Sequence, residues 1–345
     1  MRRPVHIAGF AQLDHVLVDH DRAEAELVRL ATAAALRDAG LQRADVGFTC
    51  SGSSDYAMGQ PFSFVMALDG LGAWPPIRES HVEMDAAWAL YEAWVRLQHG
   101  DVDIALVYGF GKSSRGDLDA IGTMTLDPYS LAPLGVSPRM IDALQARTLL
   151  DGGLTTEEAL AHIAQRSRAD GNRNPHVPNA PLASIAELLA APMLAAPLRA
   201  HDFATRTDSA AAIVLRVGGG GPHISGLAHR IDAHQPGARD LTVAHSAALA
   251  AEAAGLFSGP IDAAELYATC TSHEVLLRRA LKLGDGVTIS PSGGALAADT
   301  SMVSGLVRIG EAANLIRHGG RQRVVAHAAQ GAALQHNLVC VLEAP

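Results

Sequence analysis

Cysteine is scarce in this chain of 345 residues: Cys50, Cys270 and Cys340 stand far apart. Three thiols so scattered form neither a disulfide framework nor a zinc-binding spacing, and the cytoplasm is the expected compartment. No apolar run approaches the roughly 20 residues that a membrane span requires. The opening MRRPVHIAGFAQLDH breaks its short apolar stretch at Gln12 and Asp14, unlike a signal peptide. Basic runs are missing too, and a formal net charge of −9 argues against non-specific nucleic-acid binding. Aromatic residues make up only 4%, which with abundant alanine allows a roomy apolar pocket without identifying its occupant.

What is present is apolar surface and punctuation: 48% hydrophobic residues, 33 Gly and 17 Pro. That suffices for a large core, as one big domain or two fused halves. Strand-like and helix-like segments alternate, which implies an α/β protein with layered sheets. Residues 5–11, 46–50, 103–110 and 211–217 read as strands of one sheet, and 224–230, 264–270, 323–329 and 337–343 as strands of a second. Residues 22–39 read as an amphipathic helix ending at Gly40. From about 112 to 200 the pattern loosens into short helices and turns, and GGGGP (218–222) marks a hinge. The chain therefore divides into residues 1–220, with the excursion, and 221–345, two copies of one α/β unit.

Several motifs carry no chemistry. GFGKSS (109–114) lacks the first glycine of a phosphate loop, where Leu106 stands. GGGGP lacks the strand-then-helix setting of a dinucleotide turn. SHEVLL has no second histidine four residues on, and the sixteen histidines show no metal spacing. TSHE (271–274) fits a capping box, with Thr271 as cap and Glu274 reaching back.

HVEMDAAWALYEAW (81–94) is different, because a nearly all-apolar helix opens with two acids, Glu83 and Asp85. Its continuation, HGDVDIALVYGFGKSS, resembles a segment of thiolases, most closely of the sterol-carrier-protein-x (lipid-transfer-protein) branch. SPSGGALAADTSMVSGLVRIGEAA resembles that branch's N-P-S-G-G block, and ALQHNLVCVLE its C-terminal hairpin. The resemblance runs from the first strand to the last. It implies two βαβαβαββ halves in an α/β/α/β/α arrangement, with a loop excursion in the first half. The helices beginning near Asp85 and Ser301 are then expected between the sheets, as their all-round apolar composition also suggests.

Measured against the family's motifs, the catalytic loops have changed. Counting back from Gly100 places Glu83 where the nucleophilic cysteine would be, with Asp85 and Ala86 at the neighbouring serine and glycine. ADTS (298–301) replaces the G-H-P histidine, Tyr267 replaces the histidine of H-D-C-F, and no second cysteine stands near Gly331. The resemblance marks Ser292, Gly293, Gly294 and Asp299 as thioester-binding candidates. Tyr267 and His273 become the first choices for proton transfer, with Glu83 or Asp85 as base or orienter. The other reading of the two acids is helix capping alone, at an N-terminus whose field favours a carboxylate.

Thiolytic cleavage needs a sulfur nucleophile, and this chain offers none at that place. Retro-aldol cleavage of a 3-hydroxyacyl-CoA does not need one, and side-chain aldolases of the branch pair a thiolase-like chain with an OB-fold (DUF35) partner. The expected function is therefore C–C bond cleavage of an acyl-CoA in a complex, with coenzyme A present only as the substrate's thioester and no bound cofactor or metal. The alternative is a catalytically silent subunit supporting a cysteine-bearing thiolase or acyltransferase chain. A homodimer or a heteromer with a second thiolase-like chain is expected, with the loop 51–64 and the ESHVE segment at the interface.

Overall fold

A computed structural model describes residues 3–59, 61–72 and 77–345. Gln60, within the loop expected at an interface, lies outside the described residues. The first part of the chain supplies β1 (Val5–Gln12), α1 (Glu24–Asp38), β2 (Phe48–Gly52), α2 (Asp55–Met58), α3 (Phe64–Leu71), β3 (Glu79–Val82), α4 (Ala86–His99) and β4 (Ile104–Lys112). The excursion follows with α5 (Leu118–Met124), α6 (Pro138–Asp151), α7 (Glu157–Gly171), α8 (Ile185–Ala190) and a small ribbon, β5 (Met193–Ala195) and β6 (Leu198–Arg199). Then come β7 (Asp208–Val217), β8 (His223–Ile231), α9 (His245–Ala253), β9 (Ala263–Glu265), α10 (Thr271–Ala280) and β10 (Thr288–Ile289). The chain closes with α11 (Gly294–Ala297), α12 (Ser304–Arg317), β11 (Arg323–Gln330) and β12 (His336–Glu343).

The strands form one mixed ten-stranded sheet in the order β10-β9-β11-β12-β8-β1-β7-β4-β2-β3. This corrects the expectation of two separate sheets, although the join is slight: β1 and β8 share the single pair His6↔His223. On either side of that pair the order repeats. From the outer edge inward, each run has two parallel neighbours, β3-β2-β4 and β10-β9-β11, followed by antiparallel pairings to the strand that opens the run. The excursion occupies the β4–β7 connection, whereas the matching β11–β12 connection is a short turn.

Both faces of the central strands are buried, so their sequences read as continuous apolar runs. Ala105 and Val107 of β4 pack inward with α4 and α12, together with Val324, Ala326 and Leu338 from the other run. Leu106 and Tyr108 point the opposite way, against α1 and α3. Val325 and Val339 likewise meet α9 and α10 on the far face. The two all-round apolar helices, α4 and α12, thus lie between the two strand runs. On α12, Gly310 is required for close packing, since a Cβ there would come within 2.1 Å of the Phe10 ring.

Two local readings change. The strand expected over 264–270 stops at Glu265, and residues 266–270 leave the sheet to form a pocket wall and the entry to α10. The capping box at Thr271 does not form. Cys270 is the N-cap, Thr271 donates to Asp202 Oδ1 at 2.8 Å, and Glu274 pairs with Arg166. A long-range carboxylate and a long-range guanidinium from the excursion outcompete the local pattern.

Candidate functional site

Both central helices point their N-termini at one carboxylate. Asp85 is the N-cap of α4, where its Oδ1 accepts from the Ala87 N–H at 2.8 Å, while its Oδ2 accepts from the Gly305 N–H of α12 at 3.0 Å. The sequence permits this because residue 305 is glycine: a Cβ there would lie 2.3 Å from Asp85 Oδ1. The Asp85 backbone N–H in turn donates to Gln330 Oε1 at 2.9 Å. The Ala86 N–H donates to the Met302 carbonyl at 3.1 Å, which seats one helix start against the other.

These residues wall a cavity of about 160 Å³, shared by Asp85, Tyr267, Thr269, His273, Met302 and Gln330. Its turns are tightly wound: Met302, Ala333 and Leu334 all hold positive φ values, a conformation costly for non-glycine residues and frequent at functional sites. Burial pushes the Asp85 carboxyl up to about 6 against the opposing helix N–H groups. It is therefore mostly ionised at neutral pH. Burial first, then the charges of Asp299 and Asp85, hold the Tyr267 phenol well above its ordinary value. Tyr267 keeps its proton and is a donor, not a base.

His273 faces the cavity from the first turn of α10, but both ring nitrogens are directed elsewhere. Nδ1 lies 3.3 Å from Thr269 Oγ1, and Nε2 lies 3.2 Å from Asp142 Oδ1. Burial opposes charge on this ring, yet Cys270 and Asp142 outweigh it and keep its pKa well above the usual imidazole range.

Of the sequence candidates, Asp85, Tyr267 and His273 meet at this cavity, with Asp299 beside Tyr267. Asp299 is itself raised by burial, with Ser304 and Tyr267 opposing the shift. Glu83 does not join them. It is exposed, and its carboxylate accepts from the Asp55 N–H at the start of α2, 2.5 Å away. Glu83→Gln keeps an acceptor for that bond, so stability is expected to stay within about 1 kcal/mol of wild type; a denaturation curve checks this.

Ser292, Gly293 and Gly294 also lie away from the cavity. Ser292 hydrogen-bonds Glu265 Oε2 at 2.7 Å and receives Arg308 at 2.6 Å, in a buried network. Burial, only partly offset by Arg308, raises the Glu265 carboxyl to about 7. The Gly293 carbonyl accepts from Ser167 at 2.6 Å, and a Cβ on Gly293 would come within 2.7 Å of Gly171 Cα. The SPSGG turn is thus the joint between the excursion and the second half. Met302, Gln330 and Asp142 escaped the sequence reading, because only the folded chain brings them near Asp85 and His273, and Thr269, four residues before His273, was not singled out.

The cysteines are all buried. Cys50 lies in β2, where burial pushes its thiol up to about 12, and Cys340 lies in β12, where burial raises it further. No helix among the described residues is long and apolar enough to cross a membrane.

No protein-family model matches the sequence, and a search of curated proteins found no match. Solved structures do share the fold. A chain of the structure described as "Ltp2-ChsH2(DUF35) aldolase" superimposes with a TM-score of 0.82 at 20% sequence identity, over 99% of this chain and 98% of that one. At that identity the likeness establishes a common fold.

Proposed function

We propose that this chain is the thiolase-like subunit of an acyl-CoA C–C bond-cleaving complex, acting by retro-aldol cleavage of a 3-hydroxyacyl-CoA of sterol side-chain type without a cysteine nucleophile. The observation that carries the reading is the placement on one small cavity of Asp85, whose two oxygens accept from the N-termini of two helices, and of Tyr267. The repeated strand order, the central position of α4 and α12, and the fold shared with an aldolase support assignment to the thiolase fold.

In this mechanism the Asp85 carboxylate takes the proton of the substrate's C3 hydroxyl. The C2–C3 bond then breaks, its electron pair passes to C2 as the thioester enolate, and C3 leaves as a ketone or aldehyde. Tyr267 protonates C2, giving the shorter acyl-CoA, and the proton on Asp85 returns to Tyr267. The positive ends of α4 and α12 beside the cavity favour the enolate charge. A cavity of about 160 Å³ holds on the order of five water volumes, enough for the reacting carbons but not for the whole substrate. A partner that closes over the remainder fits that size, and a DUF35 OB-fold protein is the partner we propose. The half-buried edge strand β3 and the neighbouring loop, where Phe64 stacks on His81 at 3.9 Å and Tyr56 and Phe62 are exposed, form the proposed contact with a second thiolase-like chain.

One observation favours a silent partner subunit instead: both Asp85 oxygens already serve helix N–H groups. Purified chain, mixed with its DUF35 partner and supplied with a 3-hydroxyacyl-CoA, is expected to release a carbonyl compound and a shorter acyl-CoA, detected by mass spectrometry. Full activity after simultaneous loss of the Asp85 charge and the Tyr267 hydroxyl would assign the chemistry to another chain.

A further inference from the structure

The excursion and the second half meet at a second cluster, which the proposed reaction does not use. α6 brings Asp142, and the entry to α10 brings Cys270 and His273, spaced so that both face the same side of its first turn. A carboxylate oxygen, the sulfur and a ring nitrogen all lie within 4.8 Å of one another. Cys270 is fully buried, His273 is 4% exposed and Asp142 is 9% exposed.

His273 Nε2 is buried and makes no hydrogen bond, although Asp142 Oδ1 is 3.2 Å away. The pair is close but misaligned for N–H···O. It is, however, spaced like one edge of a coordination tetrahedron: metal–nitrogen and metal–oxygen bonds of about 2.0–2.2 Å put neighbouring ligand atoms roughly 3.4 Å apart. Nδ1 of the same ring meets the Thr269 hydroxyl at 3.3 Å, the outer contact that fixes a metal-bound imidazole's tautomer and orientation.

We propose that Asp142, Cys270 and His273 bind a zinc ion, with water in the fourth position. One thiolate, one imidazole and one carboxylate suit zinc among the common divalent metals. Binding releases the Cys270 thiol proton and any proton on His273 Nε2. The ion ties α6 of the excursion to α10 and so fixes the cavity wall formed by Thr269 and His273. The site does not depend on the proposed reaction, and its test reads metal rather than turnover.

The full chain, expressed with added zinc and desalted, is expected to carry about one zinc per chain by elemental analysis. Cys270→Ser and Asp142→Asn should each reduce that content roughly tenfold or more, whereas Cys340→Ser should keep it. Cobalt(II) added to metal-free chain should give a sulfur-to-cobalt charge-transfer band that Cys270→Ser abolishes. Wild-type chain with no zinc above the Cys270→Ser level, zinc retained in both ligand variants, or no cobalt band each overturns the site. If Cys270→Ser is unfolded by circular dichroism, the cobalt titration of wild-type chain decides alone.

Discussion

Asp85→Asn is expected to lower kcat/KM of the assembled complex by ~10²–10⁴-fold, the usual contribution of one positioned proton-transfer group, while leaving the fold within about 1 kcal/mol of wild type. The asparagine oxygen can still cap Ala87, but its amide faces the Gly305 N–H and that second bond is lost. Against this loss stands a cost that the variant escapes. In the folded chain Asp85 titrates at about 6, raised from 3.8 by burial. The native state therefore binds this proton more tightly than the unfolded chain. The associated stability is fully present below about pH 4 and is lost as pH rises through about 6, so at neutral pH the ionised group costs roughly 3 kcal/mol at most. The proposed mechanism uses that ionised form, and on it wild-type kcat/KM should fall as pH drops below about 6. Rate profiles and denaturation curves of both proteins measure the two effects separately. An Asp85→Asn complex with unchanged rate would leave Asp85 as a cap.

Tyr267→Phe is the second large effect. The rate is expected to drop by ~10²–10⁴-fold with KM nearly unchanged, because in the proposed mechanism the hydroxyl acts on the departing enolate rather than on bound substrate. Phenylalanine keeps the ring's packing in the inner core. It removes a proton donor that faces Asp299 and Asp85, at a stability cost of about 1–2 kcal/mol for the lost interaction with Asp299. A proportionate rise in KM with kcat intact would mean that Tyr267 only binds. Single-turnover measurements on the complex make that distinction.

Much of the fold was legible because burial writes directly into sequence. The runs IALVYGF and AAIVLRV are apolar on both faces, and α4 and α12 are apolar nearly all round, so their central position followed from composition. The joining pair His6↔His223 was not legible, since one backbone contact leaves no periodicity. Nor was the early end of β9, because LYATC is as apolar as a strand but serves as a wall. Of the residues that line the candidate cavity, Asp85 and Tyr267 stood at motif positions, and His273 drew notice on the first turn of its helix. Glu83 took the motif position of a nucleophile, yet it lies before the helix cap and turns to α2. Asp142 and Gln330 stand far from their partners in sequence, and no local pattern announces them.

The repeated strand order has an electrostatic consequence at the join. α4 and α12 occupy matching places in the two halves, each just before the strand that its half inserts toward the centre. Repetition therefore sets two helix N-termini against each other, each equivalent to about half a positive charge. Those poles favour an anion between them and so offset part of the burial cost of a charge at this point. Asp85 is the resident one, supplied by only one of the two copies. The socket is thus older in logic than its occupant: with the carboxylate removed, it remains a place shaped for some other negative oxygen.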